Sequence, residues 1–465
     1  MASKRGEQDY HGVFTTKTVV VHPKARPPLT SSSSSSSSST LLHLSNLDTK
    51  CPALMYLVFF YRPTQPPASS SLFSSLKRGL EEALSSWYPA AGRLCFSPPS
   101  GKLTVACTGA GALLVEAATA VKISDLGDLS QPNDFLDRLV FKPPVHAPLE
   151  ETPLVVAQVT RFACGGFAIG VGTNHALFDG VANYNFLNAW ASRAVGGGKQ
   201  ICDHHEPVVL HERGRLQLAA LDQHDHGGDF NDQEFMALGH LHQLIKQAAA
   251  VREEERSHED QIKMVLRTFS VGCGMVSRLK NKAASNCTSF EVVAAHLWKA
   301  RTKALNIAGH KTVCLQFTVD ARDRIRPPLP PSFAGNAFVL SSLLSTAADL
   351  DRLPFAALVL RIQAAKRAVT HAYVARYVAA LGETAPRTSL PPLPELTMVS
   401  DWTKTPYHRV DFGAGEAAYV APLATPMPQT AYFLQSPGEA GRVDVRIGLP
   451  EKSLRAFESY FLSGF

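Results

Sequence analysis

Phe167-Ala168-Ile169-Gly170-Val171-Gly172-Thr173-Asn174-His175-Ala176-Leu177-Phe178-Asp179-Gly180 is the stretch on which the reading of this chain turns. Its first five residues form an apolar, β-rich run, and a helical pattern begins at Val181. A strand therefore feeds a helix across a short turn, and the turn carries a histidine. An imidazole held there projects from a rigid scaffold, and its ordinary pKa of about 6.5 suits general-base work near neutral pH. Asp179 either orients that imidazole or points away and binds a cation; the pattern alone fits both. A satisfied core histidine is the default reading of an isolated H-x-x-x-D.

Outward from this turn, the same alternation of strand and helix fills the chain. Towards the N-terminus lie a strand over Phe14–Val21 and a β-rich run over Met55–Tyr61. Between Met55–Tyr61 and the turn, Leu72, Leu76, Leu80 and Leu84 share one face of a helix that ends at Pro89. Towards the C-terminus, Ser289–Leu305 reads as a strong helix and Val313–Val319 as a strand. Pro354–Arg376 reads as one long helix with its proline in the first turn. Mixed elements on both sides predict two α/β domains. The boundaries fall at residues 1–195, a crossover loop over 196–240, and 241–465.

The crossover is expected on the surface. It contains Gly196-Gly197-Gly198 and two His-rich pieces, Asp203-His204-His205-Glu206 and His224-Asp225-His226. Without a helical HExxH these read as solvated loop, and no metal site is expected. The run Ser31–Ser39 reads as a second solvated loop, and the acidic run within Arg252–Arg256 as a solvated helix face.

Composition narrows the function classes. Across 465 residues, 46 Lys+Arg against 40 Asp+Glu leave a mild excess of +6, with no basic cluster of the kind nucleic-acid binding requires. Eight cysteines are scattered without a C-x-x-C, which predicts reduced thiols in a cytoplasmic protein. No uncharged apolar run reaches the roughly 20 residues that span a bilayer.

Two further segments carry chemistry. Asp411-Phe412-Gly413-Ala414-Gly415 marks a tight turn with glycines at Gly413 and Gly415. Asp320-Ala321-Arg322-Asp323-Arg324, with Arg326 and a proline-rich stretch, supplies arginines for buried ion pairs or for an anion.

Taken in order, the motifs resemble the plant BAHD acyltransferases, which use acyl-coenzyme A. The resemblance rests on Leu44–Asp48, Trp87–Leu94, His175–Asp179, Thr288–Glu291, Val319–Arg322 with Gly335-Asn336, Trp402, and Asp411–Gly415. It implies two similar-sized, chloramphenicol-acetyltransferase-like α/β domains with a channel between them. It also implies a monomer with no permanently bound cofactor, acyl-CoA as co-substrate and a small-molecule acceptor. His175 is then the general base, and Ser400 and Trp402 stabilise the oxyanion. Asp179 pairs with an arginine, Asp411 pairs with Arg322, and both pairs are buried. Arg278, Lys280, Thr288 and Ser289 contact the coenzyme, against a plain reading as surface and helix-cap residues.

The family's usual turn is Asp-Phe-Gly-Trp-Gly, so Ala414 departs from it and is expected to leave a void unless neighbours fill it, at a cost of about 3–5 kcal/mol if nothing compensates. The proline-rich segment resembles members that use hydroxycinnamoyl donors, and O-acylation is preferred over N-acylation. The alternative is a non-catalytic accessory protein of very-long-chain fatty-acid elongation, of the ECERIFERUM type.

Overall fold

The structure is a computed structural model that describes residues 12–25, 40–50, 53–63, 72–97, 101–144, 146–196, 208–216, 263–284, 286–381, 393–423 and 430–463. The Ser31–Ser39 run, the His-rich pieces of the crossover and Arg252–Arg256 lie outside these residues.

In chain order the first half gives β1 (Val13–Val21), β2 (Thr40–His43), β3 (Leu54–Tyr61), α1 (Leu72–Ser86), β4 (Arg93–Phe96), β5 (Leu103–Cys107) and β6 (Ala112–Thr119). β7 (Val155–Arg161), β8 (Phe167–Asn174) and α2 (Gly180–Val195) follow. The second half gives β9 (Met264–Val271), α3 (Cys273–Ala283), α4 (Ser289–Ala304), β10 (Thr312–Asp320), β11 (Phe338–Thr346), α5 (Ala347–Arg352), α6 (Phe355–Ala368) and α7 (His371–Ala380). It closes with β12 (Leu396–Asp401), β13 (Tyr419–Leu423), β14 (Thr430–Gln435), β15 (Val443–Pro450) and α8 (Leu454–Ser463).

These elements form two α/β units, and neither is continuous in sequence. The first comprises residues 1–43, 53–211 and 407–423, and the second 44–52, 212–406 and 424–465. The Asp411–Gly415 turn, expected with the C-terminal domain, therefore packs in the first unit. The reason is strand pairing: β13 adds antiparallel to β3, Tyr419 opposite Phe60 and Leu423 opposite Tyr56.

In the first unit the six-stranded sheet runs β1-β6-β7-β8-β3-β13. β8 is buried along its whole length, which fits an unbroken apolar run better than an alternating one. α1 and α2 cross closely. A Cβ on Gly79 would lie 2.5 Å from the Ala194 backbone nitrogen, and Trp190 Nε1 donates to Leu76 O at 2.8 Å.

The second unit's sheet runs β11-β10-β12-β14-β15-β9. Phe269 of β9 meets Phe457 and Phe461 of α8, while Phe290 of α4 meets Phe317 and Phe433. One sheet face is thus sealed by helices through aromatic contacts.

Two expectations are corrected here. The long helix over Pro354–Arg376 is broken into α6 and α7. Val369 leaves the helical region, and Thr370 turns its hydroxyl to the Tyr373 N–H at 3.3 Å, starting a new helix. The crossover is not wholly on the surface either. His211, Arg213 and Leu216 are buried.

Candidate active site

The His175 turn is held by its own backbone and neighbours. His175 N donates to Ala53 O at 2.8 Å, and Asn174 N donates to Leu154 O at 2.9 Å. Asn174 Oδ1 accepts the Ala176 N–H at 3.0 Å, while Leu177 N donates to Asn174 O at 2.9 Å. The asparagine immediately before the histidine therefore folds the turn. His175 itself is half-buried with Nδ1 sunk out of solvent, so the ring is not enclosed as a core histidine would be.

Asp179 is buried and acts as the N-cap of α2. Its Oδ1 accepts the Ala182 N–H at 2.9 Å, and its carbonyl accepts from Asn183 N at 2.8 Å. A carboxylate at a helix N-terminus also sits favourably in the helix dipole. Of the two sequence readings, the structure shows Asp179 directed into the protein as a cap.

Three side chains that sequence reasoning missed surround this loop. Thr173 Oγ1 donates to Asn183 Oδ1 at 3.0 Å, Asn183 Nδ2 donates to Tyr407 Oη at 3.4 Å, and Tyr407 donates to Gly180 O at 2.9 Å. Burial pushes the Tyr407 phenol well above its ordinary range, and the Asp179 charge adds to it. Tyr407 lies 227 residues from Gly180 in sequence, so no local signal announced it.

Tyr407 leads directly into the Asp411–Gly415 turn. Asp411 is exposed, and its Oδ1 accepts N–H bonds from Gly413, Ala414 and Gly415 at 2.7, 2.9 and 2.8 Å. The Asp411 carboxylate, expected to be buried, is exposed and serves its own turn. Gly413 and Gly415 have φ of 99° and 79°, which favours glycine. Ala414 is half-exposed in this turn. The turn's anchor is Phe412, edge-on to Phe59, Tyr61 and Trp190. Tyr61 also donates to Val410 O at 2.5 Å, and burial and the Asp411 charge raise its pKa well above the ordinary value.

In the second unit, Ser400 and Trp402 stand at the end of β12. Trp402 Nε1 donates to Ser400 Oγ at 3.0 Å, which leaves the serine hydrogen to be given elsewhere. The indole is itself edge-on to Tyr432 of β14 at 5.6 Å. Arg322 is buried, lies 3.3 Å from Asp320, and donates to Gly335 O at 3.1 Å.

Arg278 is exposed and Lys280 half-exposed on α3. Thr288 caps α4, and a capping box with Glu291 is complete: Oγ1 accepts Glu291 N–H at 3.3 Å and Glu291 Oε2 accepts Thr288 N–H at 2.9 Å. Ser289 opens the helix.

Sequence reasoning also missed the partner of Asp48. Its Oδ2 accepts from Ser45 Oγ at 2.7 Å and from Arg213 Nε at 3.1 Å; its Oδ1 accepts from Asn336 N and Nδ2 at 3.0 and 2.8 Å. Leu44–Asp48 and Gly335-Asn336 are thus one buried polar cluster of the second unit.

Among the described residues no group of three or more His, Cys, Asp or Glu is placed to hold a metal, and Cys95, Cys107, Cys164, Cys273, Cys287 and Cys314 are free thiols. No helix among them is long and apolar enough to cross a membrane.

Comparison with known proteins adds to this geometry. The model of the Transferase family matches residues 28–463. Brassinosteroid-related acyltransferase 1 of Arabidopsis thaliana is 46% identical over 436 residues, covering 91% of this chain and 93% of that protein. Fatty alcohol:caffeoyl-CoA acyltransferase of the same plant is 30% identical over 422 residues, covering 90% and 93%. Among solved structures, vinorine synthase superposes with a TM-score of 0.70 at 19% identity, covering 97% of this chain and 98% of that one. TRI101 of F. sporotrichioides, complexed with coenzyme A and T-2, superposes with a TM-score of 0.69 at 15% identity, covering 90% and 97%. At these identities the two superpositions speak for the fold.

Proposed function

Because this chain belongs to the Transferase family, and within it to the plant BAHD acyltransferases, we propose that it moves a hydroxycinnamoyl group from coenzyme A to an alcohol, with His175 as general base. The observation that carries this reading is the half-exposed imidazole on a turn fixed by Asn174 and by the Asp179 cap. A base must be held still yet reachable, and this one is both.

The reaction is a direct displacement. His175 takes the proton as the acceptor oxygen attacks the thioester carbonyl. The tetrahedral oxyanion collapses, expels the coenzyme A thiolate, and the imidazolium returns its proton to that sulfur. Ser400 is the oxyanion donor in this reading, because its oxygen already accepts from Trp402 and its hydrogen is left to give. Arg278, Lys280, Thr288 and Ser289 are proposed to bind the coenzyme. The Thr288 cap uses the hydroxyl only as an acceptor, so its hydrogen is available to a ligand.

Relatives named for caffeoyl-CoA and feruloyl transfer, at 30% and 29% identity, support an aromatic donor. The relative at 46% identity is named for brassinosteroids, which favours a rigid, polyhydroxylated steroid as the acceptor. The accessory role is not favoured. The named relatives are acyltransferases, and at the one departure from the family turn, Ala414, the backbone N–H still donates to Asp411.

The test is thiol release from p-coumaroyl-, caffeoyl-, feruloyl- and acetyl-CoA, each with a brassinosteroid, an ω-hydroxy fatty acid, shikimate and putrescine. Turnover with an aromatic donor and the steroid, lost in His175→Ala, is expected. A folded protein that binds coenzyme A and turns over no pair would overturn the transferase reading.

A further inference from the structure

We propose that Asn183 and Tyr407 are positioning residues for His175, tying the strand that enters its turn to the helix that leaves it. This inference rests on the reading of His175 as the base.

The connection is a closed relay. It starts at Thr173, two residues before His175, passes through Asn183 on α2 and Tyr407, and ends on the carbonyl of Gly180, the first residue of α2. Each polar atom in it has a matching role. Asn183 accepts at Oδ1 and donates from Nδ2, while Tyr407 accepts from Asn183 and donates its single hydrogen to Gly180. A satisfied relay of this kind, buried in a low dielectric, resists distortion more than the same bonds would in water.

Packing fixes the relay's two side chains. Asn183 is 3% exposed and Tyr407 5% exposed. The Tyr407 ring stands edge-on to Phe59 at 6.4 Å and to Tyr184 at 5.7 Å, so the ring keeps its place even without its hydroxyl. Asn183 lies four residues after the Asp179 cap, one helical turn along, which puts it beneath the loop the cap terminates. Asp179 starts the helix, whereas Asn183 and Tyr407 fix that start against the end of β8. Tyr407 thereby links the His175 turn to the Asp411–Gly415 segment through residues other than Ala414.

A tie of this sort matters to a general base more than to the fold. Misplacing a reacting group by about 1 Å costs on the order of a hundredfold in rate. Removing only the Tyr407 hydroxyl leaves the Asp179 cap, the strand pairing and the ring packing in place.

The experiment compares Tyr407→Phe with Tyr373→Phe. Tyr373 is also buried and donates to a backbone carbonyl, Leu340 O at 2.6 Å, but it serves the second unit's α7. Both variants are followed by thermal unfolding, by kcat and KM for both substrates, and by NMR of 15N-labelled histidine with the His175 signals assigned from their loss in His175→Ala. Tyr407→Phe is expected to lower kcat about tenfold or more, leave each KM within about twofold, and move the His175 imidazole signals. Asn183→Ala is expected to do the same. Tyr373→Phe is expected to lower the Tm while leaving kcat and the His175 signals alone. Unmoved His175 signals and a kcat within about twofold in Tyr407→Phe would overturn the positioning role. Turnover that survives His175→Ala would sink the base reading instead, and the NMR signals separate the two failures because they report His175 whether or not it is the base.

Discussion

Arg213 Nε lies 3.1 Å from Asp48 Oδ2, and the two side chains are 1% and 0% exposed. The residues are 165 apart in sequence, yet they are the centre of the second unit's polar cluster. Desolvating both charges is costly, so the pair is a poor source of net stability but a severe loss when half of it is removed. Arg213→Ala should lower stability by about 3–5 kcal/mol through the charge left on Asp48. Arg213→Met with Asp48→Asn should recover much of that loss. Urea unfolding of the wild type and the two variants measures it; a single mutant no worse than the double would contradict the pairing argument.

The same guanidinium limits Gly335. A Cβ there would lie 2.7 Å from Arg213 Cζ and 2.9 Å from Phe333 Cζ. Gly335→Ala is therefore expected to destabilise by about 1–3 kcal/mol, the usual range for overpacking. That cost should shrink in the Arg213→Met background, where the flexible thioether can yield. Simple additivity of the two changes in the unfolding measurement would show that they do not share this space.

The order of elements was legible in the sequence because hydrophobic periodicity is local: Ser289–Ala304 and Thr312–Asp320 fall within a residue of their predicted bounds, and Leu72–Ser86 ends three residues before the expected Pro89. The break at Val369-Thr370 was not, because a threonine inside a helical pattern competes for the backbone only when its hydroxyl finds an N–H. His175 was legible as a turn residue. Its supports were not, since Asn183 reads as an ordinary helix residue and Tyr407 as an ordinary aromatic. The roles of Asp48 and Arg213 depend on pairing across long loops, and charged residues carry no periodic signature of such a partner. Asp411 was expected to be buried but is exposed, with the backbone of its own turn supplying three donors that the sequence did not announce.

Ala414→Trp restores the family's usual residue and should change little. The position is half-exposed, and Asp411 and Phe412 hold the turn. Stability should move by no more than about 0.5 kcal/mol, as at ordinary surface sites. Phe412→Ala should instead cost about 3–5 kcal/mol, because that ring fills the space against Trp190 at 4.9 Å. Thermal unfolding and kcat of both variants decide; a large gain in Ala414→Trp would mean the turn does lack a buried side chain.

Ser400 and Trp402 should differ in kind. Ser400→Ala removes the proposed oxyanion donor and should lower kcat by about a hundredfold to a thousandfold. Ser400→Thr keeps a hydroxyl and should retain most activity. Trp402→Phe keeps the aromatic contact with Tyr432 but loses the N–H that holds the serine oxygen. It should cost less than Ser400→Ala, about tenfold for one neutral hydrogen bond worth about 1 kcal/mol or slightly more. Equal losses in the two variants would make the indole the donor.

His296 provides a pH test independent of the reaction. It is fully buried in α4, stacks on Phe461, and its Nε2–H donates to Phe461 O at 2.7 Å. Burial lowers its pKa below the ordinary 6.5, and the Lys282 charge pushes the same way against that hydrogen bond. With the folded pKa depressed, the unfolded chain binds the extra proton first as pH falls. The contribution is therefore complete above about pH 6.5 and is lost as pH falls from there towards the folded pKa. His296→Gln keeps a donor for Phe461 O but cannot ionise. It should be less stable than the wild type at pH 8 yet lose less stability between pH 7 and pH 5. Parallel stability curves for the two proteins over that window would show that His296 does not titrate with unfolding.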